Sequence, residues 1–339
     1  MTSIQHPEPG IRTFRASAPV RLDFAGGWTD VAPFALEERG MVVNAAIDLR
    51  AEAEVRTGGK GFLLQSDDFK DSLHLPGPEA LAADGRLDLL KAAIRRSGLG
   101  AGELHTRCAA PAGSGLGSSG ALDVALVAAL DSAQGIRRSP LELAEEAFAL
   151  ESVEAGLPGG RQDQYAASLG GFHRFEFDHG RVTAHPLAVS PEFADELARR
   201  IVVCYTGVSR VSSRAIERVV DSYRSGDRQV VGALRGLADV AARMSDAFIA
   251  QDLERIGRLL SENWMLQQRL DPAMRTAEMA ALESTMEEAG VLGCKAAGAG
   301  AGGSMFFLVK EPVIGASAAH EAGARVLPVA WTAEGVRVW

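Results

Sequence analysis

The chain has 339 residues, 47% of them hydrophobic and 23% charged, the proportions of a globular protein of about two domains and not of a disordered or fibrous one. Thirty-five basic against 44 acidic residues leave a net charge of −9 with no basic run, which argues against a nucleic-acid partner and leaves helix N-termini, single arginines or a metal to hold any anionic ligand. The longest unbroken apolar run, 124–130, falls far short of the roughly 18–20 residues of a membrane span, and residues 1–10 have no leader character, so the chain reads as soluble and cytoplasmic.

Residues 13–24 read as a strand that ends in the turn AGGWTD, and 41–55, rich in β-branched residues, as a second. A short amphipathic helix is expected over 87–96. A strand over 104–109 runs into the glycine-rich segment PAGSGLGSSG, 111–120. Helices follow over 118–133 and 140–154. The latter opens on a capping box, with Ser139 as N-cap, Pro140 in the first helical position and Glu142 three after the cap. Gly170-Gly171 introduces a strand pair at 172–177 and 182–187. Beyond about 190 come a strand at 201–205, helical stretches from about 210 to 290, a second glycine segment, GAGAGG, and an apolar strand at 304–309. Turn residues in PLAVSPEF place a boundary near 188–195, between two α+β halves, 1–190 and 191–339, each with one glycine loop.

Cys108, Cys204 and Cys294 lie far apart, form no CxxC and read as buried small hydrophobes. The seven histidines form no HExxH, so a transition-metal site is not expected.

Glycine loops between a strand and a helix present free N–H groups that can cradle phosphate. The first loop is not a P-loop, since no GK[ST] closes it. It matches GxGxxG at Gly115, Gly117 and Gly120, but so does the second at Gly298, Gly300 and Gly303. A dinucleotide site also needs an acid about 20 residues on, where Glu142 sits in a helix start. Tight turns at positive φ remain the alternative on the glycines alone. Ser118 and Ser119 fall at a helix N-terminus, where a hydroxyl caps the helix or reaches a phosphate-bound Mg²⁺. Glu151 falls amid the apolar face formed by Leu143, Ala144, Ala147, Phe148 and Leu150. A carboxylate there needs a partner, either an arginine or Mg²⁺. In GGRQDQ, Asp163 follows Arg161 closely, and such a carboxylate can orient or deprotonate a hydroxyl.

With these residues in place the chain resembles the GHMP kinases, the galactokinase–homoserine kinase–mevalonate kinase superfamily. Three motifs in order carry the resemblance: APVRLDFAGGWTD (18–30), PAGSGLGSSG (111–120) and KAAGAGAGGS (295–304). AGGWTDVAPF, LPGGRQDQYAASLGGF and YTGVSRVSS (205–213) are most similar to segments of D-glycero-D-manno-heptose 7-phosphate kinases and fucokinase domains. The resemblance implies an N-terminal ribosomal-S5-type α+β domain and a C-terminal ferredoxin-like one, with ATP, Mg²⁺ and a sugar meeting in the cleft and the anomeric hydroxyl as acceptor. It implies that Pro111, Gly113, Ser114, Gly115, Leu116, Gly117 and Ser118 wrap the ATP phosphates, with Ser119 and Glu151 on Mg²⁺. Asp163 becomes the base or orienting carboxylate, with Arg21 and Arg161 near the reacting groups. Gly27, Trp28, Thr29, Asp30 and Arg210 join Asp163 around the sugar, and Gly298, Gly300, Gly302 and Gly303 support the phosphate loop.

Three departures bear on the acceptor. Trp28 replaces a glycine of the heptose-kinase pattern, and either stacks on a sugar face or packs under its turn. Gly120 stands where alanine is usual, and Arg161 where the heptose enzymes have lysine. An unphosphorylated fucose-, galactose- or amino-sugar-type acceptor is the alternative. A silent ligand-binding homologue is disfavoured, because Asp163 and the phosphate loop are both kept. No membrane or nucleic-acid partner is implied, and the chain is expected as a monomer or homodimer.

Overall fold

A computed structural model describes residues 11–207 and 213–339; Arg210 lies outside the described residues. The first lobe runs β1 (Arg12–Ala25), α1 (Phe34–Glu37), β2 (Arg39–Thr57), β3 (Phe62–Ser66), β4 (Asp71–Leu75), α2 (Asp88–Ser97), β5 (Gly102–Cys108), α3 (Ser118–Ala133), α4 (Pro140–Ala149), α5 (Gln162–Leu169), β6 (Phe172–Asp178) and β7 (Arg181–Pro186). Then come α6 (Pro191–Arg200), β8 (Ile201–Tyr205), α7 (Ser213–Arg224), α8 (Arg228–Ile249), α9 (Leu253–Gln268), α10 (Ala277–Glu288), β9 (Val291–Ala296), β10 (Ser304–Val309), α11 (Pro312–Glu321), β11 (Arg325–Leu327) and β12 (Arg337–Val338).

The first sheet has the order β12-β1-β2-β5-β3-β4, with β6 and then β7 added to β2. The 19-residue β2 serves two neighbours in succession, β6 along 39–45 and β5 along 51–57. The sheet is antiparallel except where β3 runs parallel to β5. α3 is packed across it, with Ala121, Val124, Ala125, Leu126 and Ala129 fully buried. A helix apolar on all sides belongs in a core, and this one starts at the first glycine loop. The second sheet, β11-β8-β10-β9, is antiparallel.

The lobes share their core: the Phe24 ring of β1 lies 4.9 Å from Phe248 of α8 and 5.6 Å from Phe306 of β10, edge to face. The chain also returns to the first sheet late. β12 pairs with β1, Trp331 bridges to Ile47, and Arg15 and Trp339 exchange backbone hydrogen bonds at 3.0 Å.

Two expectations from periodicity are refined. The helix expected over 140–154 ends at Ala149, and Leu150–Glu154 form one π turn, closed by the Ala155 N–H on the Leu150 carbonyl at 2.9 Å. Such turns favour functional positions, and this one carries Glu151. Among the described residues the helical region after 210 is four α-helices, with a 3-10 turn at Pro272–Met274 between the last two; α8, α9 and α10 start on the caps Asp227, Asp252 and Thr276. Among the described residues no helix is long and apolar enough to cross a membrane.

Candidate active site

The first glycine loop leaves β5 and enters α3 through Gly113, Gly115 and Gly117, at φ 68°, 77° and 78°, conformations that favour glycine. The second loop rests on it backbone to backbone. A Cβ on Gly298 would stand 2.7 Å from the Gly115 oxygen, and one on Gly303 2.9 Å from that of Gly113. The Ser304 N–H donates to the Ser114 carbonyl at 2.8 Å. Gly300 and Gly302 also have positive φ, 84° and 125°. Neither Ser118 nor Ser119 caps α3. The amides that open its first turn have no acceptor in the helix and, at the positive end of its dipole, suit phosphate. Leu116 is buried, and its carbonyl takes the Arg21 N–H at 2.8 Å; Pro111 stands at the loop's entrance, its carbonyl accepting from the Ser114 N–H at 3.0 Å.

Arg21, on β1, is 5% exposed. Its Nε donates to Asp163 Oδ1 at 2.8 Å, and Nη2 lies 2.7 Å from the same oxygen. Nη1 donates to the Gly115 carbonyl at 2.6 Å and the Ala297 carbonyl at 3.1 Å. One guanidinium therefore ties both glycine loops to Asp163. Asp163 lies in the first turn of α5 and against the start of α3, where a Cβ on Gly120 would stand 2.5 Å from the Asp163 Cβ. Arg161, the sequence neighbour, does not reach Asp163. Two residues apart at a helix start, the side chains diverge by about 200°. The Arg161 Nη1 donates to Glu145 at 3.2 Å and to the Gly180 carbonyl at 2.8 Å, over the Phe148 ring.

Across the loop mouth, Ser119 Oγ donates to Glu151 Oε1 at 2.6 Å, and Gln164 Nε2 donates to Oε2 at 2.8 Å. No arginine or lysine pairs with Glu151 among the described residues, so the arginine alternative drops away. Burial raises the pKa of Glu151, opposed by the Ser119 bond and assisted by the charge of Asp163. A hydroxyl and a carboxylate short of positive charge are hard donors that fit Mg²⁺. No group of three or more His, Cys, Asp or Glu side chains suited to a metal occurs among the described residues. A cation at Ser119 and Glu151 would therefore complete its shell with water and phosphate oxygens, as Mg²⁺ commonly does. Behind them Asp123 of α3 is wholly buried, with no partner in good hydrogen-bond geometry on either carboxylate oxygen; burial, then the charge of Glu151, pushes its pKa well up, opposed by the nearby Gln164 side chain.

Asp30 supports the same helix from the other side. Its Oδ2 accepts the Gln162 N–H at 3.0 Å, a carboxylate at the N-terminus of the helix that carries Asp163. It packs on Gly160, where any Cβ would overlap the carboxylate. Burial raises its pKa to about 6, against the Gln162 hydrogen bond and with the charges of Asp163 and Asp23 adding to the rise. The Thr29 hydroxyl is used by its own turn, donating to the Gly26 carbonyl at 2.7 Å and accepting the Met41 N–H at 3.0 Å. Trp28, at φ 82°, is 6% exposed and packed with Phe34, Val219 and Leu234, so it lies under the turn and offers no open face to a sugar. Gly27 packs on Asp23, which a Cβ there would overlap.

Sequence reasoning passed over five polar residues that meet here: Asp23, Asp123, Gln162, Gln164 and Lys295. Two left a signal. Asp123 is an acid inside the apolar run ALDVALVAAL, and Asp23 is two residues from Arg21 on a strand, hence on the same face. The cysteines take no part: burial pushes Cys108 to about 11, and Cys204 and Cys294 to about 12.

Amides for phosphate, a guanidinium-held carboxylate and a hydroxyl–carboxylate pair for a cation provide for positioning and charge neutralisation, which is what phosphoryl transfer asks of a protein. The arrangement suits a small-molecule phosphotransferase. The sequence profile described as GHMP kinases N terminal domain matches residues 87–171, and that described as GHMP kinases C terminal matches 244–326. The chain is 30% identical to the D-glycero-alpha-D-manno-heptose 7-phosphate kinase of Campylobacter jejuni, over 97% of this chain and 99% of that one. It is 29% identical to the bifunctional fucokinase/GDP-fucose pyrophosphorylase of Arabidopsis thaliana over 91% of this chain but 31% of that protein. A D-glycero-D-manno-heptose 1-phosphate kinase from Bacteroides thetaiotaomicron has the same fold, with a TM-score of 0.79 at 26% identity, covering 96% of this chain and 98% of that one. The chain belongs to the GHMP kinase family and is a sugar kinase, transferring a phosphoryl group to a sugar hydroxyl.

Proposed function

We propose that the enzyme uses ATP and Mg²⁺ to phosphorylate the anomeric hydroxyl of D-glycero-D-manno-heptose 7-phosphate. The observation that carries this is the Arg21–Asp163 contact under the phosphate loop, in a chain whose likeness to a heptose 7-phosphate kinase runs its full length. The amides opening α3 and the loop 111–118 hold the ATP phosphates. Ser119 and Glu151 hold Mg²⁺, which when bound neutralises charge on the phosphates. Asp163 keeps Oδ2 free of donors from the described residues, and that oxygen accepts the hydrogen bond of the acceptor hydroxyl and aligns it for attack. Arg21 holds Asp163 in place and adds positive charge beside the transferred group. Asp30 is assigned to the sugar side of the cleft, with Gly27, Trp28 and Thr29 shaping the turn that carries it, and the lobes divide near residue 190. Arg210 is assigned to the acceptor's phosphate on the likeness of its motif alone.

The test is a mass-spectrometric assay with ATP and Mg²⁺ on heptose 7-phosphate beside free heptose, fucose, galactose and N-acetylhexosamines. A bisphosphate formed from heptose 7-phosphate alone, and lost in Asp163→Ala, is the expected result. Turnover of a free sugar instead overturns the acceptor and keeps the kinase. No ADP with any sugar overturns the acceptor class.

A further inference from the structure

Two buried ionisable groups that the transfer reaction leaves unused face each other between the lobes. Lys295, on β9, is fully buried, and Asp23, on β1, is 2% exposed. The Lys295 Nζ donates to Asp23 Oδ2 at 3.0 Å and to the Asp23 carbonyl at 2.6 Å, and it lies 5.6 Å from the centroid of the Phe306 ring. Asp23 Oδ1 has no hydrogen-bond partner.

Position along the strands gives the pair its meaning. Arg21 and Asp23 are two apart on β1 and share a face; Lys295 and Ala297 are two apart where β9 leads into the second glycine loop. Asp23 meets Lys295, and Arg21 meets the Ala297 carbonyl at 3.1 Å. These are two rungs in one register. No backbone ladder sets that register, because β1 and β9 belong to different sheets. β1 is also irregular here, with a register shift between Asp23 and Ala25. A buried ion pair is a weak source of stability, and its best-attested use is to specify register.

We propose that Asp23 and Lys295 are an inter-lobe positioning pair: they fix β9 against β1, and so put the Ala297 carbonyl and the second glycine loop where Arg21 needs them to hold Asp163. This deepens the kinase reading and rests on its assignment of Arg21 and Asp163. Apolar side chains of the same size would fill the space but leave the strands free to slide.

The test is the full-length double variant Asp23→Asn/Lys295→Met, which leaves no unpaired charge. Amide hydrogen exchange is read over 111–118 and 297–304, with 121–130 of α3 as the internal control. The expected result is exchange at least about tenfold faster in both loops with α3 unchanged. With the sugar that the wild type turns over, kcat falls about tenfold or more while KM for ATP and sugar stays within about twofold. Asp23→Asn alone, which keeps an acceptor for Lys295, retains most of the wild-type kcat. Should the double variant be too unstable to purify, Asp23→Ala/Lys295→Met, which also leaves no buried unpaired charge and adds no unpartnered amide, is read in the same way. A folded variant with wild-type loop exchange and wild-type kcat overturns the proposal. Exchange needs no substrate, so a wild type silent on every sugar tested counts against the acceptor and leaves this result readable.

Discussion

Both nitrogens that Arg21 turns toward Asp163, Nε at 2.8 Å and Nη2 at 2.7 Å, land on the same carboxylate oxygen, Oδ1. Oδ2 has no donor among the described residues, and the Asp163 side chain is 26% exposed. One oxygen is thus fixed by the protein, and the other is the one that the proposed function gives to the acceptor hydroxyl. Asp163→Ala is expected to lower kcat by roughly 10²–10⁴-fold, the range for a lost general base or orienting group. KM for ATP should hold, because the phosphate loop does not use Asp163. A steady-state ADP-release assay checks the split.

Arg21→Lys tests shape separately from charge. A lysine cannot serve Asp163 and two carbonyls from one planar group. The Gly115 and Ala297 carbonyls would each lose a donor, at about 1 kcal/mol per net hydrogen bond. The expected outcome is a lower Tm together with a loss of kcat of about tenfold or more. An unchanged Tm in thermal unfolding would show that the carbonyl bonds are dispensable.

Gly120→Ala would put a methyl 2.5 Å from the Asp163 Cβ. Overpacking at such a site costs about 1–3 kcal/mol, and relief can come only by moving α5 away from α3. Asp163 travels with it. We expect kcat to fall more than the stability change alone would produce, with KM for ATP retained, as read by kinetics beside urea unfolding.

Ser119→Ala and Glu151→Gln should each raise the Mg²⁺ concentration for half-maximal rate, Glu151→Gln by about tenfold or more, because Mg²⁺ sites rest on one or two carboxylates plus phosphate. Mn²⁺ binding in the presence of nucleotide, followed by electron paramagnetic resonance, reports the same loss without turnover. Equal metal affinity in all three proteins would remove both residues from the metal site.

Asp30 makes stability depend on pH in a definite direction. Its pKa rises from 3.8 to about 6 in the folded chain, so between those values the native state binds more protons than the unfolded one. Stability from this group is therefore full below about pH 4 and is lost as pH rises through 6. At about 1.4 kcal/mol per pK unit, the loss is on the order of 3 kcal/mol. The Tm of Asp30→Asn relative to wild type should rise between pH 4.5 and pH 7.5. A difference independent of pH would place the ionisation of Asp30 elsewhere.

The glycine loops, Ser119, Glu151 and Asp163 were legible because each belongs to a local pattern: a loop between strand and helix, a helix start, a lone acid on an apolar face, or an acid just after a Gly-Gly turn; Arg21 was reached only through the resemblance of its motif. Glu151 shows the limit of that reading. Helical periodicity singled it out, yet it sits on a π turn that breaks the periodicity, and its partners Ser119 and Gln164 come from two other helices. Arg161 shows a different limit. Adjacency to Asp163 in sequence suggested a pair, but at a helix start neighbours two apart point away from one another, and the guanidinium that arrives comes from Arg21, on another element. Lys295 stood inside a recognised motif and was overlooked, since only the packing of the second sheet on the first reveals that it is buried. The strand β9 itself was hidden by the glycines that follow it. Trp28 left two readings open, and burial between the lobes selects packing under the turn.

The return of β12 to β1 has a consequence for how the molecule is made. In chain order the whole of the second sheet lies between β1 and β12, so the part of the β1 edge that β12 covers, at Ala16 and Ser17, stays unpaired until that sheet has been synthesised. The first sheet is therefore completed only after the strands of the second, and the lobes do not mature as two independent units one after the other. A nascent chain stalled within the second lobe would present an open strand edge, the kind of surface that chaperones cover.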